Sequence, residues 1–146
     1  MKNIMDLDNN VRGQICEELA KHYICLAIRC KYVDSKVIDN WKINQEQKAF
    51  IKKYWKYIDI IRFNNHKQIV DIYEIKSRKF QHISWKTHSI SEFMLKLYKE
   101  AIRLGMKIKV FNIELHENWN FDFTVKEFSE SDFAVSVKRG QRFSRR

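Results

Sequence analysis

The sequence contains no proline and only three glycines among its 146 residues. These two residue types punctuate chains and dominate flexible linkers, so their scarcity argues against a long linker between domains. A length of 146 residues fits one compact domain with a hydrophobic core of its own. We therefore predict a single folded unit, and the sequence has no internal repeat that would suggest otherwise.

Cysteine is scarce as well, and Cys16, Cys25 and Cys30 form an odd set without a CxxC pair. This pattern argues against a disulfide framework and against a zinc site. All three fall within one predicted helix, where we expect them to pack rather than to react. A reducing compartment is the simplest setting for such thiols, and we expect a cytoplasmic protein.

Long hydrophobic runs are missing too, since no apolar stretch approaches the ~18 residues that a membrane span needs. The first ten residues contain acids and no hydrophobic segment, so we expect neither a signal peptide nor a membrane partner. Positive charge, in contrast, is abundant: 28 Lys and Arg against 18 Asp and Glu give a formal net charge of +10. A small domain this basic attracts polyanions, and we expect nucleic acid, ahead of an anionic membrane.

The spacing of apolar residues predicts a first helix over residues 11–33, preceded by polar residues suited to capping it. At 100° per residue Glu18 lies inside the apolar stripe of this helix together with His22, whereas Glu17 points away. A carboxylate on a buried face costs free energy unless it has a partner or a task. Glu18 is therefore a candidate functional residue, while packing is the simpler explanation for His22.

The hydrophobic period then changes to two over residues 57–63 and 69–76, which predicts a β-hairpin. We expect residues 34–40 to form a loop, and residues 45–55 favour a short helix, although their aromatics also suit a strand. After the hairpin we predict a polar, basic loop over 77–88. A capping box at Ser89 then begins a helix that runs to Leu104 and stops at Gly105. Strands are predicted over 107–115 and 121–128. This order predicts an α/β domain with a mixed sheet over residues 1–137.

The segment with the clearest chemistry is Asp59 followed by Glu74-Ile75-Lys76. Residues two apart on a strand share a face, so Glu74 and Lys76 project together and Asp71 projects to the other side. For Asp71 we expect a salt bridge or a position at the edge of the strand rather than a metal-binding role. Asp59 joins Glu74 if the intervening turn has an even number of residues. Two carboxylates on opposed strand positions can share a hard cation such as Mg²⁺.

These residues resemble the motif of the PD-(D/E)XK nuclease superfamily, over roughly residues 11–115. The resemblance implies a restriction-endonuclease-like mixed β-sheet flanked by helices and a nuclease that hydrolyses phosphodiester bonds, DNA ahead of RNA. It implies that Asp59 and Glu74 bind Mg²⁺ or Mn²⁺, that Lys76 serves catalysis, and that Glu18 contributes to the metal site. Many nucleases of this kind act as homodimers to cut two strands.

The chain departs from the family pattern at two places. Ile58 stands where the family name has proline, and Met94 stands four residues before Tyr98 where some members have glutamine. An E-x-K motif alone also occurs by chance on solvated strand faces. A nucleic-acid-binding protein without catalysis and a basic protein that meets an acidic partner therefore remain alternatives.

Two basic segments are candidates for contacting nucleic-acid phosphates. The first directly follows the motif and consists of Ser77, Arg78 and Lys79, which could equally form an exposed basic loop. The second is the C-terminal stretch 138–146, which we interpret as a flexible tail that grips the backbone without reading sequence. Its basic residues are Lys138, Arg139, Arg142, Arg145 and Arg146.

Overall fold

A computed structural model describes residues 7–64, 66, 68–79, 88–129 and 133–136. The elements of this part of the chain are α1 (Asn9–Tyr23), β1 (Ala27–Arg29), α2 (Ser35–Ile38), α3 (Gln45–Tyr54), β2 (Ile60–Phe63), β3 (Ile69–Lys79), β4 (His88–Ser91), α4 (Glu92–Arg103), β5 (Lys107–Leu115), β6 (Phe121–Glu127) and β7 (Phe133–Ser136). Single 3₁₀ turns follow β1, at Cys30–Tyr32, and α3, at Trp55–Tyr57. None of the helices described is both long and apolar enough to span a bilayer.

Five strands form a mixed sheet in the order β1-β2-β3-β5-β6. The central strand β3 pairs antiparallel with β2 and parallel with β5, and α4 lies between β3 and β5 in the sequence. Strands β4 and β7 form a separate parallel pair. The predicted α/β domain with a mixed sheet is thereby confirmed.

Helices cover both faces of this sheet, which explains why β3 contains a nearly continuous apolar run. On one face, α1 contributes Cys16 and Ala20 to a core that includes Tyr73 of β3. On the other face, α4 contributes Leu97 and Tyr98 to a core that α3 also joins. Alternate residues of β3 consequently face α1 or α4, and the even-numbered side that carries Ile72 faces α4.

The first helix is shorter than predicted, because it ends at Tyr23 and the chain turns at Leu26, whose φ is +59°. The following residues form β1, which pairs with β2 at the edge of the sheet. Helical spacing continued past residue 23, but strand pairing in the tertiary structure outweighed it. The prediction of one helix for all cysteines was wrong: Cys25 is exposed beyond α1, and Cys30, buried in a 3₁₀ turn, has its thiol pKa raised to about 12 by burial.

Other predicted elements match more closely. The helix over residues 45–55 is α3, the strand over residues 107–115 is β5, and Gly105, with φ +92°, follows α4 as expected. The predicted N-cap of α4 was wrong, because the helix begins after Ser91, whose hydroxyl oxygen accepts the hydrogen bond from the backbone N–H of Met94. The loop predicted over 34–40 contains the short α2, and residues 77–79, predicted as the start of a basic loop, belong to β3 instead. Residues 80–87 lie outside the described residues.

Candidate functional site

The register of the β2–β3 hairpin determines which side chain stands opposite Glu74. Ile60 pairs with Tyr73, and continuing that register by one residue brings Asp59 opposite Glu74. Nearer the turn the register shifts by one residue, just after Arg62. Without this β-bulge, Asp59 would stand opposite Tyr73, on the other side of the sheet. The bulge, rather than the length of the turn alone, thus brings the two acids together.

Asp59 lies immediately before β2, and its side chain is only 13% exposed. Its Oδ2 accepts a hydrogen bond of 2.9 Å from the backbone N–H of Ile75, the residue after Glu74. Its Oδ1 lies 2.8 Å from the ammonium nitrogen of Lys31. One oxygen is therefore fixed to the central strand, and the other is neutralised by a lysine.

Glu74 repeats this arrangement on the neighbouring strand, with a side chain that is 15% exposed. Its Oε1 accepts a hydrogen bond from the hydroxyl of Tyr98 on α4. Its Oε2 lies 3.2 Å from the ammonium nitrogen of Lys76. The predicted trio of Asp59, Glu74 and Lys76 therefore gathers at one place, beneath α4.

Burial and the neighbouring carboxylate both disfavour the charged form of Glu74. Burial raises the pKa of Glu74, and the negative charge of Asp59 raises it further. Lys76 and the hydrogen bond from Tyr98 counteract part of this increase. Burial would lower the pKa of Lys31, but Asp59 and Glu17 outweigh it, so that pKa lies above its usual range. Cations near the acids favour their charged forms, and a further cation would have the same effect.

The helix carboxylate that reaches this site is Glu17, not Glu18. Glu17 is 13% exposed and its Oε2 lies 2.9 Å from the Lys31 nitrogen, which also contacts Asp59. The side chain of Glu18 is 48% exposed and binds Arg29 instead. The predicted orientation of Glu17 and Glu18 was wrong. The chain turns back after Tyr23, and β1 and the turn after it place Arg29 and Lys31 beside Glu17.

Asp71 occupies the opposite side of β3, as strand parity predicted. It is fully buried, and its Oδ2 lies 2.6 Å from Arg62 Nε and 3.5 Å from Lys109 Nζ. The expected salt bridge is confirmed. Asp71 is separated by the sheet from Glu74 and takes no part in the site.

The predicted phosphate contacts are placed only in part. Ser77 lies on β3 on the side of α1 and makes a side-chain hydrogen bond with Cys16, so it does not share a face with Lys76. Arg78 and Lys79 continue the same strand and do not belong to a loop. The C-terminal tail, with Lys138, Arg139, Arg142, Arg145 and Arg146, lies outside the described residues.

A second cluster of ligand-type side chains, which the sequence analysis missed, lies at the β5–β6 hairpin. His116 Nε2 is 3.2 Å from Glu114 Oε1 and 2.9 Å from Asp122 Oδ2, and the three ligand atoms lie within 4.8 Å of one another. Asp122 is 75% exposed, and exposed groups of this kind are common without an ion. Within the described ranges, Asp59 and Glu74 are not part of such a three-ligand group.

The chemistry of the donors at Asp59 and Glu74 nevertheless suits a hard divalent cation. Both provide carboxylate oxygens, and Mg²⁺ is typically held by one or two carboxylates together with waters and substrate phosphate. The oxygens facing Lys31 and Lys76 already neighbour positive charge. The donor set therefore fits Mg²⁺ or Mn²⁺ better than a soft metal, which would prefer thiolates.

No protein-family model, curated protein or solved structure matches this chain.

Proposed function

We propose that the protein is a metal-dependent nuclease that hydrolyses phosphodiester bonds at Asp59, Glu74 and Lys76. The observation that carries this proposal is the pair of largely buried, opposed carboxylates of Asp59, just before β2, and Glu74, on β3, each with one oxygen facing a lysine. Burying two acids side by side costs free energy, as the raised pKa of Glu74 reflects. Such a costly arrangement is typical of functional sites.

In this proposal Asp59 and Glu74 hold Mg²⁺ or Mn²⁺. The bound ion would neutralise phosphoryl charge and activate a water molecule. The N–H of Ile75 and the hydroxyl of Tyr98 each fix one oxygen of an acid. The other oxygen of each acid, which faces Lys31 or Lys76, is the one that we assign to the metal. Lys76 supplies a positive charge beside Glu74 that can stabilise charge developing on the phosphate.

The arrangement of elements supports the same proposal at the level of the fold. A helix precedes the hairpin that carries the acids, and a helix and a parallel strand follow it. This is the order that the resemblance to the PD-(D/E)XK superfamily implies, and we propose a restriction-endonuclease-like fold on that basis. Glu17 replaces Glu18 as the helix acid that we assign to the metal site, because it is the one joined to Asp59 through Lys31.

The proposed partner is nucleic acid, because the net charge of +10 favours a polyanion. We place DNA ahead of RNA on the resemblance to the PD-(D/E)XK superfamily. A homodimer would place two such sites to cut two strands, and we retain it as part of the proposal. The alternative of binding without catalysis uses the same charge but gives no task to the acid pair.

The test is cleavage of linear, circular, branched and single-stranded DNA and of RNA with Mg²⁺, with Mn²⁺ and with EDTA. We expect metal-dependent cleavage that falls at least 100-fold in Asp59→Asn, Glu74→Gln and Lys76→Ala, while nucleic-acid binding changes less than about threefold. Glu127→Gln, which changes an exposed acid on β6, is the matched control and should keep wild-type activity.

Different results discriminate between the proposals. Tight binding without cleavage of any substrate would favour the non-catalytic protein. Cleavage that survives in all three site variants would mean that the acid pair is not the active site.

A further inference from the structure

Lys31 is held between two carboxylates from different elements. Its ammonium nitrogen lies 2.8 Å from Asp59 Oδ1 and 2.9 Å from Glu17 Oε2, and its side chain is 28% exposed. Asp59 precedes β2 and Glu17 belongs to α1, whereas Lys31 belongs to the 3₁₀ turn after β1. The lysine thus connects the helix to the acid pair and is partly open to solvent.

Arg29 supports this position from the other side of Glu17. Its guanidinium contacts Glu17 at 3.1 Å and Glu18 at 3.0 Å. Glu17 therefore has a second cationic partner and can remain neutralised if Lys31 changes its contacts. Asp59 has no second lysine or arginine contact among the ion pairs of the described residues, although the N–H of Ile75 still holds its other oxygen.

The net charge of the acids and bases joined around Asp59 and Glu74 indicates how Lys31 affects the binding of a divalent cation. The four acids Glu17, Glu18, Asp59 and Glu74 carry −4 when ionised, and Arg29, Lys31 and Lys76 carry +3, which leaves −1. Without Lys31 the same cluster carries −2, which matches the charge of Mg²⁺ or Mn²⁺. The ammonium also covers the oxygen of Asp59 that the Ile75 N–H leaves free.

We propose that Lys31 is a built-in competitor of the catalytic divalent cation, occupying Asp59 Oδ1 until the metal replaces it. The proposal rests on the proposed function, since it assumes a metal site at Asp59 and Glu74. In the metal-free protein Lys31 keeps Asp59 neutralised, and this lowers the affinity for the metal. Divalent binding and the Lys31–Asp59 contact therefore exclude one another.

The experiment is a Mn²⁺ titration of the full-length protein by calorimetry, with bound Mn²⁺ also counted by its electron paramagnetic resonance signal. Lys31→Met keeps the aliphatic stem but removes the ammonium. Lys31→Arg keeps the charge, and Lys52→Met removes the same charge from an exposed pair with Asp39 elsewhere. Asp59→Asn, combined with each variant, identifies the ions bound at this site and separates them from any at the β5–β6 hairpin.

We expect Lys31→Met to bind Mn²⁺ about tenfold more tightly than the wild type, and Lys31→Arg and Lys52→Met to bind like the wild type. Without metal, Lys31→Met should melt at a lower temperature, and Mn²⁺ should raise its melting temperature more than that of the wild type. An affinity that is unchanged or weaker in Lys31→Met, with binding that still depends on Asp59, would overturn the competition and leave the proposed function intact. If no binding depends on Asp59 in any variant, the proposed metal site and this inference both fail.

Discussion

Replacing Glu74 with glutamine should stabilise the folded protein at neutral pH while it abolishes the proposed activity. Burial and the negative charge of Asp59 both raise the pKa of Glu74 above its ordinary value of 4.5. A carboxylate with a raised pKa in the folded state destabilises that state once the pH exceeds the unfolded pKa. Glutamine removes the charge, and its side-chain oxygen can still accept the hydrogen bond from Tyr98.

The size of the effect follows from the local geometry. Opposed residues on antiparallel strands have Cβ atoms ~5 Å apart, and two unit charges at that distance repel by about 3 kcal/mol at an effective dielectric constant of ~20. The contact with Lys76, 26% exposed, would be lost, and such a pair contributes up to about 1 kcal/mol. Lys31 already weakens the field of Asp59. We therefore expect Glu74→Gln to raise the free energy of unfolding by about 1 kcal/mol near pH 8, a typical single-residue magnitude.

Urea unfolding followed by tryptophan fluorescence measures this difference, since the chain contains four tryptophans. Well below pH 4.5, the ordinary pKa of this group, Glu74 is protonated in both states, so the stabilising effect of the substitution should disappear. As the pH rises from there through the folded pKa, the wild type should lose stability relative to the variant. Glu18→Gln is the control with the opposite sign, because Arg29 lowers the pKa of that exposed acid. A Glu74→Gln protein that is less stable than the wild type at pH 8 would refute the reasoning.

Two further substitutions separate stability from catalysis. Asp71→Asn should lower the free energy of unfolding by about 3 kcal/mol, because it leaves Arg62 and Lys109 beside a buried neutral group. Cleavage per folded molecule should persist. A loss of stability below about 1 kcal/mol in urea unfolding would contradict this expectation. Tyr98→Phe should reduce kcat about tenfold with little change in nucleic-acid affinity, because Glu74 loses the donor that fixes Oε1. An unchanged rate in single-turnover assays would show that this hydrogen bond only holds α4 against β3.

The sequence was sufficient for the features that depend on local periodicity. The alternation around Glu74 predicted β3, and the parity of that strand correctly separated Asp71 from Glu74 and Lys76. Strand β5 and the glycine after α4 could also be predicted, because apolar spacing and helix-stop chemistry are local properties. The order of the predicted helices and strands indicated an α/β domain, and the described strands form its mixed sheet.

The tertiary structure alone decided the composition of the site. The β-bulge after Arg62 shifts the hairpin by one residue and so places Asp59 against Glu74, and no local signal in the sequence marks it. The end of α1 at Tyr23 follows from the pairing of β1 with β2, a contact between distant residues. That turn brings Lys31 to Asp59, and through Lys31 it joins Glu17, rather than Glu18, to the candidate site. The apolar stripe of a helix gives only the direction in which a side chain projects. The residues that surround that side chain depend on which distant segments of the chain fold back against the helix.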